Sequence, residues 1–598
     1  MLQKFQPRRL GVFSALFDLA RFRALLRRGE LGLVFAGALV GIASGCAVTA
    51  MSYISRKLHS VIYGITDYER LSSAAMAIPD KSVLFIAPVA GGIILGILLY
   101  ILSRTRKKPM VDPIEANALH GGRMSLTDSI IVAVQNLISN GFGASVGLEA
   151  GYTQIAAGIA SKFGYKMQMR RADLRMLVGC GAAGAIAAAF NAPLTGAFYA
   201  FELIIGSYSI LTLTPVVVSA LISTMIARLL AGDDFAIDID HFGAIVPADY
   251  LPAVLLGAFC AGIGILIMQG VAWVEELARK SSIAPPFRPA LGGLVVGSLA
   301  LISPQVLSAG HGALHLNLST DVTLGALVGL FILKSLASAV SIGSGFRGGL
   351  FFASLFMGAL LGKIFAYCAP YFDHATLTPV VYAVVGMSSL AVAIIGGPLT
   401  MTFLALEITG DFPITALVLA AVITSSLVVR TTFGYSFATW RFHLRGESIR
   451  SAHDVGWIRN LTVARMMRPD VHTGSIDMSI EEFRKNFPIG SAQRVILVDK
   501  NEKYSGMVLV PDVYASPVEK DDEEHGLSDF IRLRNEFLQP QMNAKQAAAM
   551  FDQTKSEALV VVNDLIERKV IGLLTESYTL RRYSEELDRR RREVSGEL

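Results

Sequence analysis

The sequence predicts an α-helical polytopic membrane protein, built from an inverted repeat with broken helices and followed by a C-terminal α/β tail. The chain of 598 residues is 53% hydrophobic and only 17% charged, whereas soluble domains carry roughly 25% charged residues. The apolar excess lies almost entirely before residue 445, and the composition beyond it is that of a soluble domain. This distribution excludes an ordinary soluble enzyme, a disordered chain and a disulfide scaffold.

Charge places the first elements relative to the membrane. The N-terminal segment 1–30 holds seven lysine and arginine residues against two acids, and such basic flanks stay in the cytoplasm. Apolar runs at 31–55 and 83–103 are each long enough for a helix of about 20 residues to cross a bilayer. Acidic residues separate these runs and basic residues follow the second. The charge pattern therefore predicts a cytoplasmic N-terminus.

Glycine residues recur regularly in the first apolar segment and interrupt the later ones. Gly37, Gly41 and Gly45 recur at intervals of four in the first run, which predicts close packing of that helix on another. Beyond residue 127 the apolar segments are short and broken by glycine. Irregular backbone at membrane depth survives only inside protein or along a water-filled cavity. Broken segments in matching positions of two halves indicate a transport site.

Two stretches about 200 residues apart share one pattern. NAPLTGAFYAFEL at 191–203 and GGPLTMTFLALEI at 396–408 both contain Pro-Leu-Thr. Glu202 and Glu407 each follow their proline by nine residues. The recurrence of the glutamate in both copies predicts a structural role for it in each.

A second pair of stretches has the same order and spacing. GASVGLEAGYTQIAAGIASKF at 143–163 parallels GSGFRGGLFFASLFMGALLGKIF at 343–365. A duplicated membrane fold explains both matches better than chance does. The short discontinuous helices indicate that the copies, about 31–235 and 245–445, are inverted relative to each other.

Glu149 is the most informative single residue. It begins an apolar segment, and no lysine, arginine or histidine lies within ten residues of it. A carboxylate inside a membrane is costly and marks a functional site by default. One interpretation is a carboxylate that merely caps a helix N-terminus, where the helix dipole favours negative charge. The other is that the same N-terminus binds a free anion, so that Glu149 and a permeating anion compete for one place.

These motifs together resemble one family. GASVGLEAGYTQ at 143–154 resembles the G-x-S-x-G-R-E-G-P signature of the CLC family of chloride channels and anion/proton antiporters. GGLFFASLFMG at 348–358 is similar to the family's G-x-F-x-P segment, and the two Pro-Leu-Thr segments are similar to its duplicated helices. The resemblance covers about residues 30–445. It implies a homodimer in membrane lipid, chloride or another small anion as substrate, protons as a second substrate, and Glu149 as the gating glutamate. It further implies a plasma (cell inner) membrane protein with both termini cytoplasmic.

The resemblance also implies a set of anion-binding residues. They belong to helix N-termini and to the pore tyrosine, which in the family follows the second duplicated helix and here falls in Gly434-Tyr435-Ser436. In this sequence the matching positions are Met110, Val111, Gly147, Leu148, Leu350, Phe351 and Tyr435.

Several of these positions depart from the family pattern. Met110 falls where the family has a serine, and a thioether has no hydrogen to donate. Leu148 and Gly151 replace the signature arginine and proline, and Leu203 stands where many antiporters carry an inner proton-accepting glutamate. The methionine and the missing glutamate also occur in the fluoride/proton antiporter branch, which generally lacks a tail. Chloride-class transport is the main expectation; that branch, or a non-transporting membrane-anchored sensor, is the alternative.

The tail, 446–598, repeats one short pattern in two units at about 460–515 and 530–585. Each unit has a helix, two strand-like runs and an acidic residue after the second run. This order resembles a tandem pair of CBS domains, which implies regulation by an adenine nucleotide. The alternative is a pair that stabilises a dimer without a ligand. The resemblance implies nucleotide contacts at Asp512, Thr575 and Glu576.

Enzymatic motifs are weak. The G-x-S-x-G match at 143–147 requires a strand–turn–helix context and a histidine partner. The sequence GALLGK at 358–363 misses the phosphate-loop spacing by one residue. The four cysteines are isolated and offer no metal-binding spacing. We therefore expect no enzymatic activity, no metal, no cofactor beyond a nucleotide in the tail, and no nucleic-acid partner.

Overall fold

The computed structural model describes residues 29–66, 69–78, 80–106, 110–232, 245–367, 377–444, 461–515 and 527–595. The chain forms two compact units, Met1–Asp454 and Val455–Leu598. Most of the predicted N-terminal segment 1–30 and the predicted boundary after residue 445 lie outside the described residues.

Among the described residues, the named elements of the first half of the membrane unit are helices. Its last short helix continues as a π-helix over Ala200–Ile205. The helices are α1 (Glu30–Tyr63), α2 (Leu71–Ala74), α3 (Ser82–Thr105), α4 (Pro113–Leu119), α5 (Leu126–Gly141), α6 (Glu149–Lys166), α7 (Arg171–Phe190), α8 (Pro193–Tyr199) and α9 (Ile210–Ala231).

The second half repeats this order. Its helices are α10 (Tyr250–Lys280), α11 (Arg288–Ile302), α12 (His311–Ser319), α13 (Leu324–Gly343), α14 (Phe351–Ala366), α15 (Pro379–Ile395), α16 (Pro398–Thr409), α17 (Phe412–Thr432) and α18 (Phe437–Leu444). The run α4–α9 matches α12–α17 helix by helix, and α8 and α16 both begin with proline, which suits the first helical position. Within the described ranges, eight helices are long and apolar enough to cross a membrane. The predicted duplication into broken helices is confirmed.

Helix α1 packs closely on α9. A β-carbon on Gly37 would collide with the backbone carbonyl of Pro215, and one on Gly41 with that of Ser219. Only glycine permits this approach of two backbones. The close packing predicted from the glycine spacing is confirmed.

Each of the two repeated glutamates caps a helix in the opposite half of the membrane unit. Glu407 accepts hydrogen bonds from the backbone N–H of Leu194 (2.7 Å) and from the N–H and hydroxyl of Thr195 (2.8 and 2.7 Å), at the start of α8. Glu202 accepts from Leu399 (3.0 Å) and twice from Thr400 (2.9 and 2.7 Å) at the start of α16. Carboxylates at helix N-termini satisfy the unpaired N–H groups there. The predicted structural role of both glutamates is confirmed.

A buried lysine explains the near match to a phosphate loop. Lys363, in α14, donates hydrogen bonds to the carbonyls of Asn317, Leu318 (3.2 Å) and Thr320 (3.0 Å). These carbonyls lie at the end of α12, where a cation complements the helix dipole. The lysine therefore fixes α12 against α14 and belongs to the packing of the second repeat.

The tail contains two units with the same topology. Strands β1 (Thr473–Ser475), β2 (Arg494–Val498) and β3 (Tyr504–Leu509) form one sheet, and β4 (Phe537–Leu538), β5 (Ala558–Val562) and β6 (Val570–Thr575) form another. In both, the first two strands are parallel and the last two antiparallel. The tail helices are α19 (Val463–Met466), α20 (Ile480–Asn486), α21 (Val510–Ala515), α22 (Ala544–Thr554) and α23 (Glu576–Ser595). The arrangement is consistent with the predicted CBS pair.

Candidate functional site

Two cavities meet at Glu149. The outer cavity, of about 180 Å³, is lined by α1, the segment 69–72 and Tyr152. The inner cavity, of about 220 Å³, is lined by the segment 110–114, Tyr199 and the starts of α14 and α18. In the described part of the chain, Glu149 is the one residue that lines both cavities. Its side chain is buried, with 4% of the residue exposed, so this carboxylate separates the two spaces.

The backbone brings the starts of the equivalent helices α6 and α14 together. The N–H of Gly147 donates to the carbonyl of Gly349 (2.9 Å), and the N–H of Gly349 donates back (3.3 Å). Asn136, on α5, donates to the carbonyls of Gly147 and Arg347, both at 3.0 Å. Its side-chain oxygen accepts from the N–H of Gly151 at 2.8 Å. One asparagine therefore clamps the loops of both repeats, and two helix N-termini point at one place.

The carboxylate of Glu149 occupies that place. The backbone N–H groups of Glu149 itself and of Phe352 interact with it, one from each helix N-terminus. Its Oε2 is buried without a hydrogen-bond partner in the described structure. A β-carbon on Gly147 would collide with the carboxylate. Backbone N–H groups at helix N-termini bind free anions as readily as carboxylates, so the geometry permits exchange of one for the other.

The loop before α4 forms the inner wall of the inner cavity. The side-chain amide of Gln154, one turn after Glu149 on α6, donates to the carbonyl of Val111 at 2.9 Å. Asp112 caps α4 by accepting from the N–H of Glu115 at 2.9 Å. The loop is therefore held by the same helix that carries Glu149.

The structure gathers most of the predicted anion-binding residues around Glu149. Leu148 lines the outer cavity, and Gly147 contributes the backbone bridge described above. The predicted residues that line the inner cavity with Glu149 are Met110, Val111, Leu350 and Phe351.

Tyr435, the remaining predicted anion-binding residue, packs among aromatic side chains. It lines neither the outer nor the inner cavity. Its hydroxyl lies 3.3 Å from Nδ1 of His443, and its ring stacks on that imidazole with 4.7 Å between centroids. The ring also contacts Trp440 at 5.4 Å. This aromatic packing holds Tyr435 away from the cavity, and Phe437 of the same segment lines it instead.

Tyr199 is the cavity tyrosine that the sequence analysis missed. It lines the inner cavity, and Thr153, a residue of α6, lines the cavity with it. The repeated motif contains the signal that could have found it. The second copy has Leu404 at the equivalent position, fully buried in the core, so a tyrosine in the first copy is the asymmetric feature.

Both cavities carry cations. Arg347 and Arg441 line the inner cavity, and Nε of Arg441 lies 3.5 Å from a carboxylate oxygen of Glu275. Cations in the lining of a cavity raise the local concentration of anions, although both linings also contain carboxylates. The signature arginine is absent at position 148, but positive charge is supplied by other elements. The arginines of the outer cavity are Arg56, Arg70 and Arg228.

The predicted nucleotide contacts of the tail lie where strands give way to helices. Asp512, in the first turn of α21, pairs with Arg532 at 2.7 Å. Thr575 ends β6, and Glu576 begins α23 with its N–H bonded to the carbonyl of Glu557 at 3.0 Å. Both acids therefore lie in the first turn of the helix that follows the last strand of their unit.

The duplicated broken helices and the meeting helix N-termini place the protein among inverted-repeat membrane transport proteins. The chain belongs to the CLC family: residues 90–430 match the family model described as "Voltage gated chloride channel".

Individual relatives agree with this membership. The chain is 31% identical over 410 residues to a "Putative chloride channel protein ClcB-like" of Ralstonia nicotianae, covering 67% of this chain and 94% of the relative. Its fold is similar to that of a slow cyanobacterial Cl⁻/H⁺ antiporter, with a TM-score of 0.61, 20% identity, and 69% of this chain and 97% of the other covered. The crystal structure of a eukaryotic CLC transporter matches with a TM-score of 0.60 and 18% identity, covering 94% of this chain and 98% of that one.

Proposed function

We propose that the protein moves chloride-class anions across the plasma membrane through a pathway gated by Glu149, in exchange for protons. The observation that carries the proposal is the position of the Glu149 carboxylate, which occupies two helix N-termini and separates the two cavities. The protein is proposed to act as a homodimer and as a transporter without enzymatic activity.

The mechanism follows from competition for the helix N-termini. While Glu149 is ionised, its carboxylate fills the place where an anion would bind, and the two cavities are separated. A protonated carboxyl no longer competes as an anion, so a permeating anion takes the backbone N–H groups. The proton and the anion therefore use the same place in turn, which links their movements.

The inner cavity supplies the remaining anion contacts. Backbone N–H groups near Leu350 and Phe351 lie at the start of α14, and the loop at Met110 and Val111 faces them across the cavity. We assign the side-chain hydroxyl contact to Tyr199, because Met110 has no hydrogen to donate.

Changing Tyr199 to Phe is expected to weaken anion binding about tenfold or more, because a hydrogen bond to a charged group is worth about 1.5–3 kcal/mol. The measurement is calorimetric titration of chloride into purified protein. Tyr435→Phe is the matched control, since it also removes one phenolic hydroxyl, and it should leave the affinity unchanged. If only Tyr435→Phe loses chloride affinity, the hydroxyl that contacts the anion is that of Tyr435.

Changing Met110 to Ser is expected to strengthen chloride binding, because the serine hydroxyl adds a donor at the inner cavity. Even half of the net value of about 1.5–3 kcal/mol for such a bond would be visible by calorimetry. If chloride affinity falls instead, Met110 is not a cavity position equivalent to the family's serine.

Membrane orientation is the second part of the proposal. The basic residues Arg104 and Arg106 end α3, and Arg106 forms an ion pair with Asp128 in the first turn of α5. The end of α3 and the start of α5 therefore lie on one side, which the positive-inside rule assigns to the cytoplasm. Both termini are proposed to be cytoplasmic as well.

The tail is proposed to bind an adenine nucleotide and to modulate transport. Asp512 and Glu576, each in the first turn of a helix that follows a strand, support a site with contributions from both units. Titration of ATP, ADP and AMP into the full-length protein, with Asp512→Ala as comparison, tests this part. Equal heats for the two proteins would remove Asp512 from the site.

The deciding experiment is anion efflux from proteoliposomes, measured for fluoride, chloride, bromide and nitrate. Chloride-class flux together with uphill proton movement driven by an anion gradient supports the proposal. Selectivity for fluoride would instead identify the protein as a fluoride/proton antiporter, the alternative that Met110 and Leu203 support. An absence of flux for every anion would leave a membrane-anchored sensor.

A further inference from the structure

We propose that Asp112 is the inner proton acceptor, which passes protons between the cytoplasmic side and Glu149. The inference rests on the proposed proton-coupled transport, and it concerns the half of the pathway that Glu149 does not reach. A proton bound to Glu149 must still cross the inner cavity, which needs a group able to hold it there.

The lining of the inner cavity contains little that can carry a proton. Within the described ranges, Asp112 and Glu149 are the two carboxylates that line it. Leu203 contributes only an apolar side chain to the same wall. Asp112 is half-buried, whereas Glu149 is buried. The more accessible carboxylate is therefore the one before α4, and the less accessible one lies at the junction of the cavities.

Two hydroxyl groups line the same cavity as the two carboxylates. Tyr199 and Thr153 belong to the lining that contains Asp112 and Glu149, and Tyr199 interacts electrostatically with both acids. The Thr153 hydroxyl donates to the backbone carbonyl of Glu149 at 2.9 Å. Hydroxyl groups both donate and accept hydrogen bonds, so the Tyr199 hydroxyl and water in the cavity can relay a proton between the acids.

Other charged groups near Asp112 have different partners or positions. Across the cavity it faces Glu149 and Tyr199, with Arg347 and Arg441 on the same lining. On its own helix the nearest acid is Glu115, which lies outside the cavity lining and 3.6 Å from His120. Asp112 is therefore the acid of α4 that is placed for proton exchange with Glu149.

The transfer balances without any further reagent. The O–H bond of the protonated Asp112 carboxyl breaks, and an O–H bond forms on the Glu149 carboxylate. The Tyr199 hydroxyl, or water in the cavity, gives one proton as it receives another and ends unchanged. Asp112 regains its proton from water on the cytoplasmic side.

The test uses full-length protein in proteoliposomes and measures the ratio of protons moved uphill to anions moved downhill. Asp112→Asn is the informative variant, because asparagine caps a helix N-terminus as well as aspartate does but cannot hold the proton. We expect the ratio to fall about a hundredfold, as for loss of a positioned acid–base group, while anions still move. Asp112→Ser, also a good cap, provides a second variant if the first does not fold.

Glu115→Gln is the matched control, since it removes a carboxyl from the same helix outside the cavity, and its ratio should equal that of the wild type. If the wild type pumps protons and both Asp112 variants pump equally well, the inference is wrong and the proposed function stands. If the wild type moves anions without protons, the antiport and this inference fail together. If no anion moves at all, the proposed function itself is wrong.

Discussion

Replacing Glu149 by glutamine is expected to abolish the pH dependence of anion flux while anion movement continues. In the wild type, flux should rise as the pH falls, because the neutral carboxyl releases the N-termini of α6 and α14 to the anion. A single group changes its protonated fraction about tenfold per pH unit on the basic side of its pKa, so the dependence should be steep. Glutamine has nearly the shape of the neutral acid and cannot be ionised, so the pathway should stay open at every pH.

The measurement is chloride efflux from proteoliposomes across the pH range in which the wild type responds. Uphill proton movement should disappear in the same variant if Glu149 carries the proton between the cavities, as proposed. Glu69→Gln is the control, since Glu69 also lines the outer cavity but is exposed. A Glu149→Gln protein with wild-type pH dependence would contradict the gating role.

Most of the membrane fold follows from the sequence because duplication leaves a visible record. The repeated Pro-Leu-Thr segments predicted α8 and α16, and the isolated acid predicted the start of α6. The hydrogen-bond partners of Glu202 and Glu407 could not be predicted from the repeat. A shared glutamate indicates that its role is shared, but the partner lies about 200 residues away and is known only once α8 and α16 are packed together.

The sequence indicated which segments contribute to the candidate site but not how their side chains are arranged around it. The motif gave Tyr435 the family's position. In the structure its ring packs on Trp440 and His443, and this packing depends on how α18 is oriented. Arg347 was missed for a related reason. Its position beside the pathway results from the backbone bridge between Gly147 and Gly349, which joins loops of the two repeats.

The tail shows the same limit. The predicted strand-like runs of the two units include the strands Arg494–Val498 and Ala558–Val562, each a short run of β-branched and apolar residues. The ion pair between Asp512 and Arg532 was not predicted, since it joins α21 to a segment outside the named strands. Local sequence patterns predict individual strands and helices, whereas a contact between two elements is known only once their packing is known.

Replacing Glu407 by glutamine is expected to destabilise the membrane unit. The carboxylate accepts three hydrogen bonds at the start of α8, and the amide group of glutamine would direct hydrogens at N–H donors. Hydrogen bonds to charged groups are worth about 1.5–3 kcal/mol each. Because some contacts survive through the remaining oxygen, the free energy of unfolding should fall by about 2–4 kcal/mol.

The measurement is thermal loss of monodisperse protein in detergent, followed by gel filtration. Glu276→Gln is the control, because that glutamate pairs with Lys280 at 2.8 Å on the surface with 46% of its side chain exposed. Its effect should stay within about 0.5 kcal/mol. A Glu407→Gln protein as stable as this control would show that the cap contributes little.

The double variant Glu202→Gln/Glu407→Gln extends the argument to the join between the repeats. Both carboxylates hold the same helix pair, and Phe198 of α8 stacks on Phe403 of α16 with 4.3 Å between centroids. Once one cap is lost and the pair loosens, the second cap has less left to hold. The combined loss of stability should therefore be smaller than the sum of the single losses, as expected for coupled sites. Strictly additive losses would mean that each glutamate stabilises only the helix end that it caps.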